Sequence, residues 1–585
     1  YDYISKVKYV ILLICYELYC CNFNLSQPID SIHIFRKHTQ FNLQHTQTEE
    51  KISVLIKEFS NNLPEDFYPS YLYEDLLTAK EKNSLGQVYT PLDIVNRMIK
   101  QVFKIKNVNE NTKILDPACG GGYFLVELYK YIRNNHPAIN KRHIVETMLY
   151  GIDIDDFSIF LSKMALIFQS GLNDIKLNIQ NRDFLLAQKT SEKFDIIIAN
   201  PPYLGHKNTT KEYKKVLYEK YDAVFYDKAD ISYCFFKQGK ELLKAEGVIS
   251  FITSRYFMEA LYGDRLRSFL KENFKIISLV DYNGNRLFKR AMISPAIITL
   301  CNSGNKSSFL YVKKNSSSKE VYKYDQNKLK DKGWVILKDV EEKLFDRIDN
   351  ISNTYIKDIS TIKQGIITGL DKAFIVTEED IEKYKIESFL LRKWIKNSNI
   401  SRSSIKYNNL YLLYSDIIEN EEDFPNAINY LALYKERLKN RRECLNGIRQ
   451  WYKLQWGRNK SDFENPKIIF PYKSKSNNFY YDPHGYFCSA DIYLMNNFPS
   501  NISIDYLTSY LNSEIFEFYL KCQAKKVGPN LYEYYPNKLN DLKIYIPQEN
   551  IQQKFSQLGK FSIEILLKKM FNVSDEEVNI IKKYI

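Results

Sequence analysis

Four consecutive residues, Asn200-Pro201-Pro202-Tyr203, carry the clearest chemical signal in this 585-residue sequence. They follow an apolar run, Phe194–Ala199, whose β-branched content predicts a buried strand. An exocyclic amine on an aromatic base is a poor nucleophile, because its lone pair is delocalised into the ring. Two acceptors aimed at its hydrogens would draw it towards a tetrahedral, nucleophilic geometry. The Asn200 side-chain oxygen and the Pro201 carbonyl can supply both, and neither proline adds a backbone donor. Tyr203 offers a flat face for a base to stack on.

Three carboxylates lie upstream. Asp116-Pro-Ala-Cys-Gly-Gly-Gly122 joins a predicted strand to a predicted helix, where glycines admit a ligand close to the backbone and the helix N-terminus favours negative charge. No Gly-Lys-Ser/Thr follows, so the turn is not a P-loop. Asp153, in Gly151-Ile-Asp-Ile-Asp155, ends the second strand, where a carboxylate can accept both hydroxyls of a ribose. Asp155 suits the cap of the next helix. Asp183-Phe184 ends the third strand, where a carboxylate can take the amino group of an adenine ring. In this order, at successive strand ends, these residues describe a pocket for an adenosine-containing cofactor.

The elements that must position them alternate along the chain. Strands are predicted at Lys113–Leu115, Leu149–Ile152, Lys176–Ile179, Phe194–Ala199, Val248–Thr253, Lys275–Val280 and Ala296–Cys301, with helices such as Phe124–Arg133, Phe157–Gln169 and Ile231–Lys244 between them. This alternation predicts a doubly wound α/β domain with its ligand at the carboxyl ends of the strands. Around residues 305–327 the pattern fades into Ser, Lys and Asn, which marks the expected domain boundary. Beyond it the chain reads as mixed, with short strands at Lys467–Phe470 and Leu542–Ile546, a charged helix near Ala432–Arg442 and a helical tail from Ile551.

Composition narrows the class. Hydrophobic residues make up 44% and charged residues 26%, which excludes a disordered or fibrous chain. The 83 Lys+Arg against 70 Asp+Glu give a net charge of +13, as a polyanionic partner would favour. Lys435–Lys475 alone holds twelve Lys/Arg and four Asp/Glu, the concentrated surplus that a phosphate backbone attracts. Nine cysteines without a Cys-x-x-Cys pair or a His/Cys cluster predict neither a zinc site nor a disulfide scaffold, and a cytoplasmic setting. The apolar run Tyr9–Tyr16 is far shorter than the roughly 18 residues that read as a membrane span. No membrane association is expected.

Asp116–Gly122 and Asn200–Tyr203 together resemble the cofactor loop and catalytic motif of the amino-methyltransferases that use S-adenosylmethionine, within them the N6-adenine DNA methyltransferases. Gly86-Gln-Val-Tyr-Thr-Pro91 resembles the segment that closes over the methionine end of the cofactor. The motif order resembles the γ arrangement of TaqI- and Eco57I-type enzymes. Tyr203-Leu-Gly-His-Lys207, Tyr221–Asp230, Gln364-Gly-Ile-Ile-Thr-Gly369, Arg441–Tyr452 and Tyr534-Tyr-Pro-Asn-Lys538 are most similar to the solitary adenine methyltransferases of spore-forming clostridia.

The resemblance implies a Rossmann-like domain that binds S-adenosylmethionine and releases S-adenosylhomocysteine, followed by a mixed α+β target-recognition domain. The expected partner is double-stranded DNA, with base flipping, no metal and a monomeric protein. Catalysis falls to Asn200, Pro201, Pro202 and Tyr203, with Phe288 as a second aromatic against the base or, alternatively, a core residue. The cofactor falls to Tyr89, Thr90, Pro91, Asp116, Pro117, Ala118, Cys119, Gly120, Asp153, Ile154, Asp183, Phe184, Asn200 and Asp230. DNA contact falls to Lys207, Lys211, Lys214, Arg441, Arg442, Arg449, Trp451, Lys453, Trp456, Arg458, Lys473 and Lys475. The implied division is an extension over 1–60 outside the machinery, a methyltransferase domain over 61–304, a linker over 305–350, a recognition domain over 351–548 and a helical tail over 549–585.

The other readings of Asn-Pro-Pro-Tyr are methylation of RNA or of a protein glutamine, the methylase part of a restriction-modification system, and a DNA-binding regulator without turnover. A fused nuclease is not expected, since the roughly 85 residues before Gly86 are too few for a comfortable nuclease domain and hold no convincing Asp…Glu-x-Lys cluster.

Overall fold

A computed structural model of the chain describes residues 2–23, 68–78, 90–187, 190–203, 209–285, 294–315, 318–528, 530–556 and 560–585. The chain divides into two compact units, Tyr1–Trp334 and Val335–Ile585.

The first unit opens with helices α1 (Asp2–Phe23), α2 (Pro69–Leu76) and α3 (Leu92–Ile105). There follow β1 (Ile114–Asp116), α4 (Tyr123–Asn135), β2 (Leu149–Asp153), α5 (Asp156–Ser170), β3 (Asn178–Asn181), β4 (Phe194–Ala199), α6 (Lys211–Lys220), α7 (Ser232–Leu242), β5 (Leu243–Ser254), α8 (Asp264–Asn273), β6 (Lys275–Asp281), β7 (Pro295–Cys301), β8 (Ser308–Lys314) and β9 (Lys319–Asp325). Their nine strands form one sheet in the order β3-β2-β1-β4-β5-β7-β6-β8-β9. β1 pairs in parallel with both β2 and β4, so the strand order reverses there and opens a crevice at the carboxyl ends. β7 runs antiparallel between β5 and β6. Ile196, Ile197 and Ile198 of β4 are fully buried, as an inner strand covered on both faces requires. In α3 the residues Ile94, Val95, Met98, Ile99 and Val102 are buried, one apolar stripe at helical spacing.

Two expectations are corrected in this unit. Residues 308–325 are not linker, because β8 and β9 pair antiparallel over seven residues and β8 joins β6. They alternate in burial as edge strands do, and the units part at Trp334. Nor does α1 lie outside the machinery. Its Val7, Ile11, Leu12, Cys15 and Tyr19 are buried with Tyr73 of α2 and Phe157, Phe160, Leu161 and Met164 of α5. Each such large side chain stabilises by about 1.5–3 kcal/mol on burial.

The second unit begins with α9 (Asp339–Ile351) and holds two four-stranded sheets. Its strands are β10 (Thr361–Gln364), β11 (Ile375–Val376), β12 (Leu391–Ile395), β13 (Tyr411–Leu413), β14 (Lys467–Pro471), β15 (Tyr480–Asp482), β16 (Phe487–Cys488) and β17 (Ile492–Asn496). The sheet orders are β10-β17-β14-β15 and β11-β13-β12-β16. Helices α10 (Ile504–Leu511), α11 (Glu514–Gln523), α12 (Glu549–Ser556), α13 (Lys560–Met570) and α14 (Asp575–Tyr584) complete it. The predicted tail is part of the core, since Phe555, Ile563, Leu567, Phe571 and Ile581 bury with α9, α10 and α11. The predicted charged helix is two short ones, Pro425–Ala432 and Lys435–Lys439.

Candidate active site

At the carboxyl edge of the first unit's sheet, the ends of β1, β2 and β4 surround a cavity of about 310 Å³. Its walls are Pro117–Gly121, Asp153–Asp155, Arg182–Leu185, Asn200 and Pro202, closed by Thr90, Tyr123, Phe124, Thr209, Tyr213, Ile231 and Phe235.

The turn after β1 is held by its own backbone. Gly122 has φ +87° and caps α4, a conformation that strains any residue with a Cβ. At Gly121 an added Cβ would lie 2.2 Å from the Ser70 Cβ, so α2 packs against bare backbone. The Cys119 N–H donates to Ile152 O at 3.0 Å and the Gly120 N–H to Asp153 Oδ2 at 2.8 Å. These bonds tie the glycine turn to the end of β2.

Each carboxylate meets a different environment. Asp116 is fully buried. Its Oδ1 accepts the Ala118 N–H at 3.1 Å, and its Oδ2 has no hydrogen-bond partner among the described residues. Burial, and secondarily the charge of Asp153, push its carboxyl well above the ordinary range, against the pull of the Ala118 amide. Asp153 accepts from Gly120 through one oxygen and from the Asp155 N–H at 2.9 Å through the other. Burial raises it as well, with those amides opposing. Asp183 accepts the Leu185 and Leu186 amides on Oδ1, at 2.8 and 3.2 Å, and the Tyr213 hydroxyl on Oδ2 at 2.8 Å. Ile154, 72% exposed, presents an apolar side chain to the same cavity.

Asn200 leaves the end of β4 and reaches the cavity wall together with Pro202. The Tyr203 hydroxyl donates to Asn200 Oδ1 at 2.5 Å, so the aromatic ring and the amide acceptor of the motif are tied together. Burial, and then the nearby Asp230, hold the phenol well above its ordinary value, which keeps it a neutral donor. Asp230 itself accepts the Ser232 N–H at 2.9 Å; its neighbour Ile231, rather than Asp230, lines the cavity.

Of the remaining cofactor residues, Thr90, Pro117, Ala118, Cys119, Gly120, Ile154 and Phe184 are on the wall, and Pro91 caps the start of α3. Tyr89, Lys207 and Phe288 lie outside the described residues. The structure adds wall residues that sequence reasoning missed: Thr209, Tyr213, Arg182 and Phe235. The Thr209 hydroxyl is buried with no partner among the described residues.

The residues assigned to DNA divide sharply. In the first unit, Lys211 is exposed and Lys214 half-buried on α6. In the second, Arg441 is bonded to the protein itself. Its guanidinium donates to the carbonyls of Leu438, Thr368, Trp451 and Lys453 at 2.8–3.1 Å. Gly369, at φ +81°, makes room for it, since a Cβ there would lie 2.9 Å from Arg441 Cδ. Arg449 pairs with Asp416 at 3.1 Å and stacks over Trp456. Lys453 donates to the Asp416 carbonyl and Arg458 to Gly365 O and Gln364 Oε1. Trp451 lies under the Lys435 ammonium, 4.7 Å from it. Lys473 sits over the Tyr472 ring. Arg442 and Lys475 are exposed.

A reversed strand order, a glycine turn and acidic strand ends around one cavity are the features of a nucleotide-cofactor α/β enzyme. Comparison with known proteins defines the class further. Residues 147–288 match the Eco57I restriction-modification methylase family, residues 93–185 the MmeI DNA-methyltransferase domain, and residues 392–544 the TaqI-like C-terminal specificity domain. The type II methyltransferase M.BstVI of Geobacillus stearothermophilus is 24% identical, over 87% of this chain and 99% of its own. M.BanIII of Aneurinibacillus aneurinilyticus is 27% identical, over 72% and 81%. In fold, the chain is similar to the type IIL restriction-modification enzyme MmeI in complex with DNA, with a TM-score of 0.63, 15% identity and coverage of 98% of this chain and 92% of that one. Over these segments the chain is similar to type II restriction-modification methylases.

Proposed function

We propose that the protein is a site-specific DNA adenine-N6 methyltransferase of the γ arrangement. It transfers a methyl group from S-adenosylmethionine to an adenine flipped out of duplex DNA. The observation that carries this reading is the seating of Asn200 and Pro202, from the Asn200–Tyr203 motif, on the wall of the cavity that Asp153 and Asp183 also line.

The residues fit the cofactor. The buried Asp116 Oδ2 that lacks a partner suits an ammonium group, Asp153 a ribose diol, and Asp183 with Ile154 an adenine ring. S-adenosylmethionine supplies, when bound, an electrophilic methyl on a sulfonium. The chain supplies position. A base inside a duplex cannot reach the cavity, so it must be extruded, at a cost of a few kcal/mol. Asn200 Oδ1, which bonds Tyr203, accepts one amine hydrogen in this reading. The Pro201 carbonyl takes the second hydrogen, and Tyr203 stacks on the base. No general base of shifted pKa is required before attack, so orientation carries most of the rate. The second unit, 335–585, is the target-recognition part, consistent with the specificity-domain match over 392–544.

The sequence likeness to the clostridial CamA group supports a solitary enzyme, without a partner nuclease, that marks an adenine-rich asymmetric site in the cytoplasm. The relatives named as type II methyltransferases favour a second reading, the modification half of a restriction pair; the chemistry is the same in both.

The test is incubation with methyl-labelled S-adenosylmethionine and unmethylated A-tract duplex, digestion to nucleosides and mass spectrometry, beside Asn200→Ala. Labelled N6-methyldeoxyadenosine that disappears in the variant is expected. Cofactor binding without label in DNA would overturn the DNA reading in favour of RNA, a protein amide or a binding-only role.

A further inference from the structure

Helix α6 reaches the cofactor cavity from outside every motif discussed so far. Thr210 caps it by accepting the Tyr213 N–H. Lys211, Lys215 and Val216 are exposed, whereas Leu217 is buried and Tyr213 lines the cavity. Helix and loop are joined at three points. Tyr213 donates to Asp183 Oδ2 at 2.8 Å, the Lys220 ammonium donates to Leu185 O at 2.7 Å, and the Tyr221 hydroxyl to the same carbonyl at 2.6 Å.

The effect on Asp183 is restrictive. An ionised carboxylate offers about four lone-pair positions. Two amides and one phenol occupy three of them, and the fourth remains on Oδ2, beside Tyr213. A ring amine satisfies a lone acceptor of this kind; a ring carbonyl is repelled by it, and a bare C–H leaves it unpaired.

We propose that Tyr213 is a positioning residue that fixes Asp183 and thereby sets the selectivity of the cavity for a 6-aminopurine cofactor. The inference rests on the reading of the cavity as an S-adenosylmethionine site. It makes α6 part of that site.

The test is calorimetric titration of the full-length protein with S-adenosylhomocysteine and with its analogue lacking the 6-amino group. The wild type is expected to prefer the amino form by more than about tenfold, the value of one hydrogen bond to a charged acceptor. In Tyr213→Phe the preference falls to below about threefold, while the analogue binds as it does to the wild type. Asp183→Asn lowers the preference as well, and adding Tyr213→Phe to it changes nothing further. A Tyr213→Phe protein that keeps the full preference, or that weakens both ligands equally, overturns the inference alone. A wild type that binds both ligands without preference overturns it too. A wild type that binds neither ligand overturns the cofactor reading along with it.

Discussion

Acidic side chains in the first unit and basic side chains in the second are deployed in different ways. Around the cavity, Asp116, Asp153 and Asp183 each sit at or just past a strand end, and each is anchored by amides within a few residues or from the adjoining turn. Asp153 and Asp183 line one small space, and Asp116 is fully buried at the head of the turn that forms part of its wall. In the Lys435–Lys475 stretch, by contrast, several of the cations are tied to the protein itself. Lys467 is fully buried against Asp482 at 2.5 Å, Arg441 holds four carbonyls and Arg449 holds Asp416. A net charge counted along a sequence therefore overstates what is offered to a phosphate backbone, while a carboxylate at a strand end is a dependable pointer to a site. Chemistry needs atoms placed within fractions of an ångström, which short strand–turn motifs provide; recognition is spread over a surface that tertiary contacts assemble.

The largest effect expected from this contrast is at Asn200. Asn200→Ala should lower turnover on the order of 10³-fold, as loss of a preorganised polar group at a reacting centre does. Cofactor affinity should change less than about twofold, because the strand-end carboxylates are untouched. Single-turnover methylation and calorimetry on the same preparation check both. Turnover within tenfold of wild type would mean that the motif does not hold the amine.

Next comes Arg441, where the contrast can be broken outright. If it is an internal clip, Arg441→Ala removes the donor of the Trp451 and Lys453 carbonyls and leaves that of Thr368 with the Gln455 N–H, and lowers stability by about 2–4 kcal/mol. The midpoint of denaturant unfolding, followed by tryptophan fluorescence, reads this directly. A variant with wild-type stability but weakened DNA binding would place Arg441 in the phosphate-contacting set.

What was legible in the sequence follows the same division. Asp116, Asp153 and Asn200 stand at strand ends whose apolar runs are local, so spacing alone located them. Tyr213 and Thr209 were not legible, because they arrive on a helix start with no motif of its own. The internal bonds of Arg441 were not legible either, because three of its acceptors lie 10, 12 and 73 residues away. The strands β8 and β9 do not read as strands because their apolar residues are interleaved with polar ones and diluted by Ser and Lys. The packing of α1 on α5 depends on a partner face more than a hundred residues downstream, which no local pattern announces.

A third prediction concerns the proton on Asp116. In the empty protein burial raises this carboxyl above its ordinary value near 3.9. An ammonium ligand requires the ionised form, so binding expels a proton. Cofactor affinity should therefore be full above the raised value and fall as pH drops through it, by up to about tenfold per pH unit. The fall begins above the ordinary carboxylate range. Asp116→Asn, measured by calorimetry between pH 8 and 5 at fixed ionic strength, should bind more weakly and lose that slope. A slope that survives in the variant would move the titration to another group and weaken the assignment of the orphaned oxygen.

The smallest effects belong to the cations left exposed once the internal ones are set aside. Lys475 and Arg442 are exposed, as are Arg437, Lys439 and Arg458. Were either to meet a phosphate, its removal would release one fewer counterion on binding. Lys475→Ala and Arg442→Ala should each lower the slope of log affinity against log salt by about one, with no change in thermal stability. Lys473, partly shielded over Tyr472, should lower it less. Fluorescence anisotropy on one duplex between 50 and 200 mM salt separates these cases. Equal slopes for all three variants would mean that the contact surface lies elsewhere, with the exposed lysines of α6 the next to be tested; a change at Arg442 alone would narrow the contact to the helix that Arg441 caps.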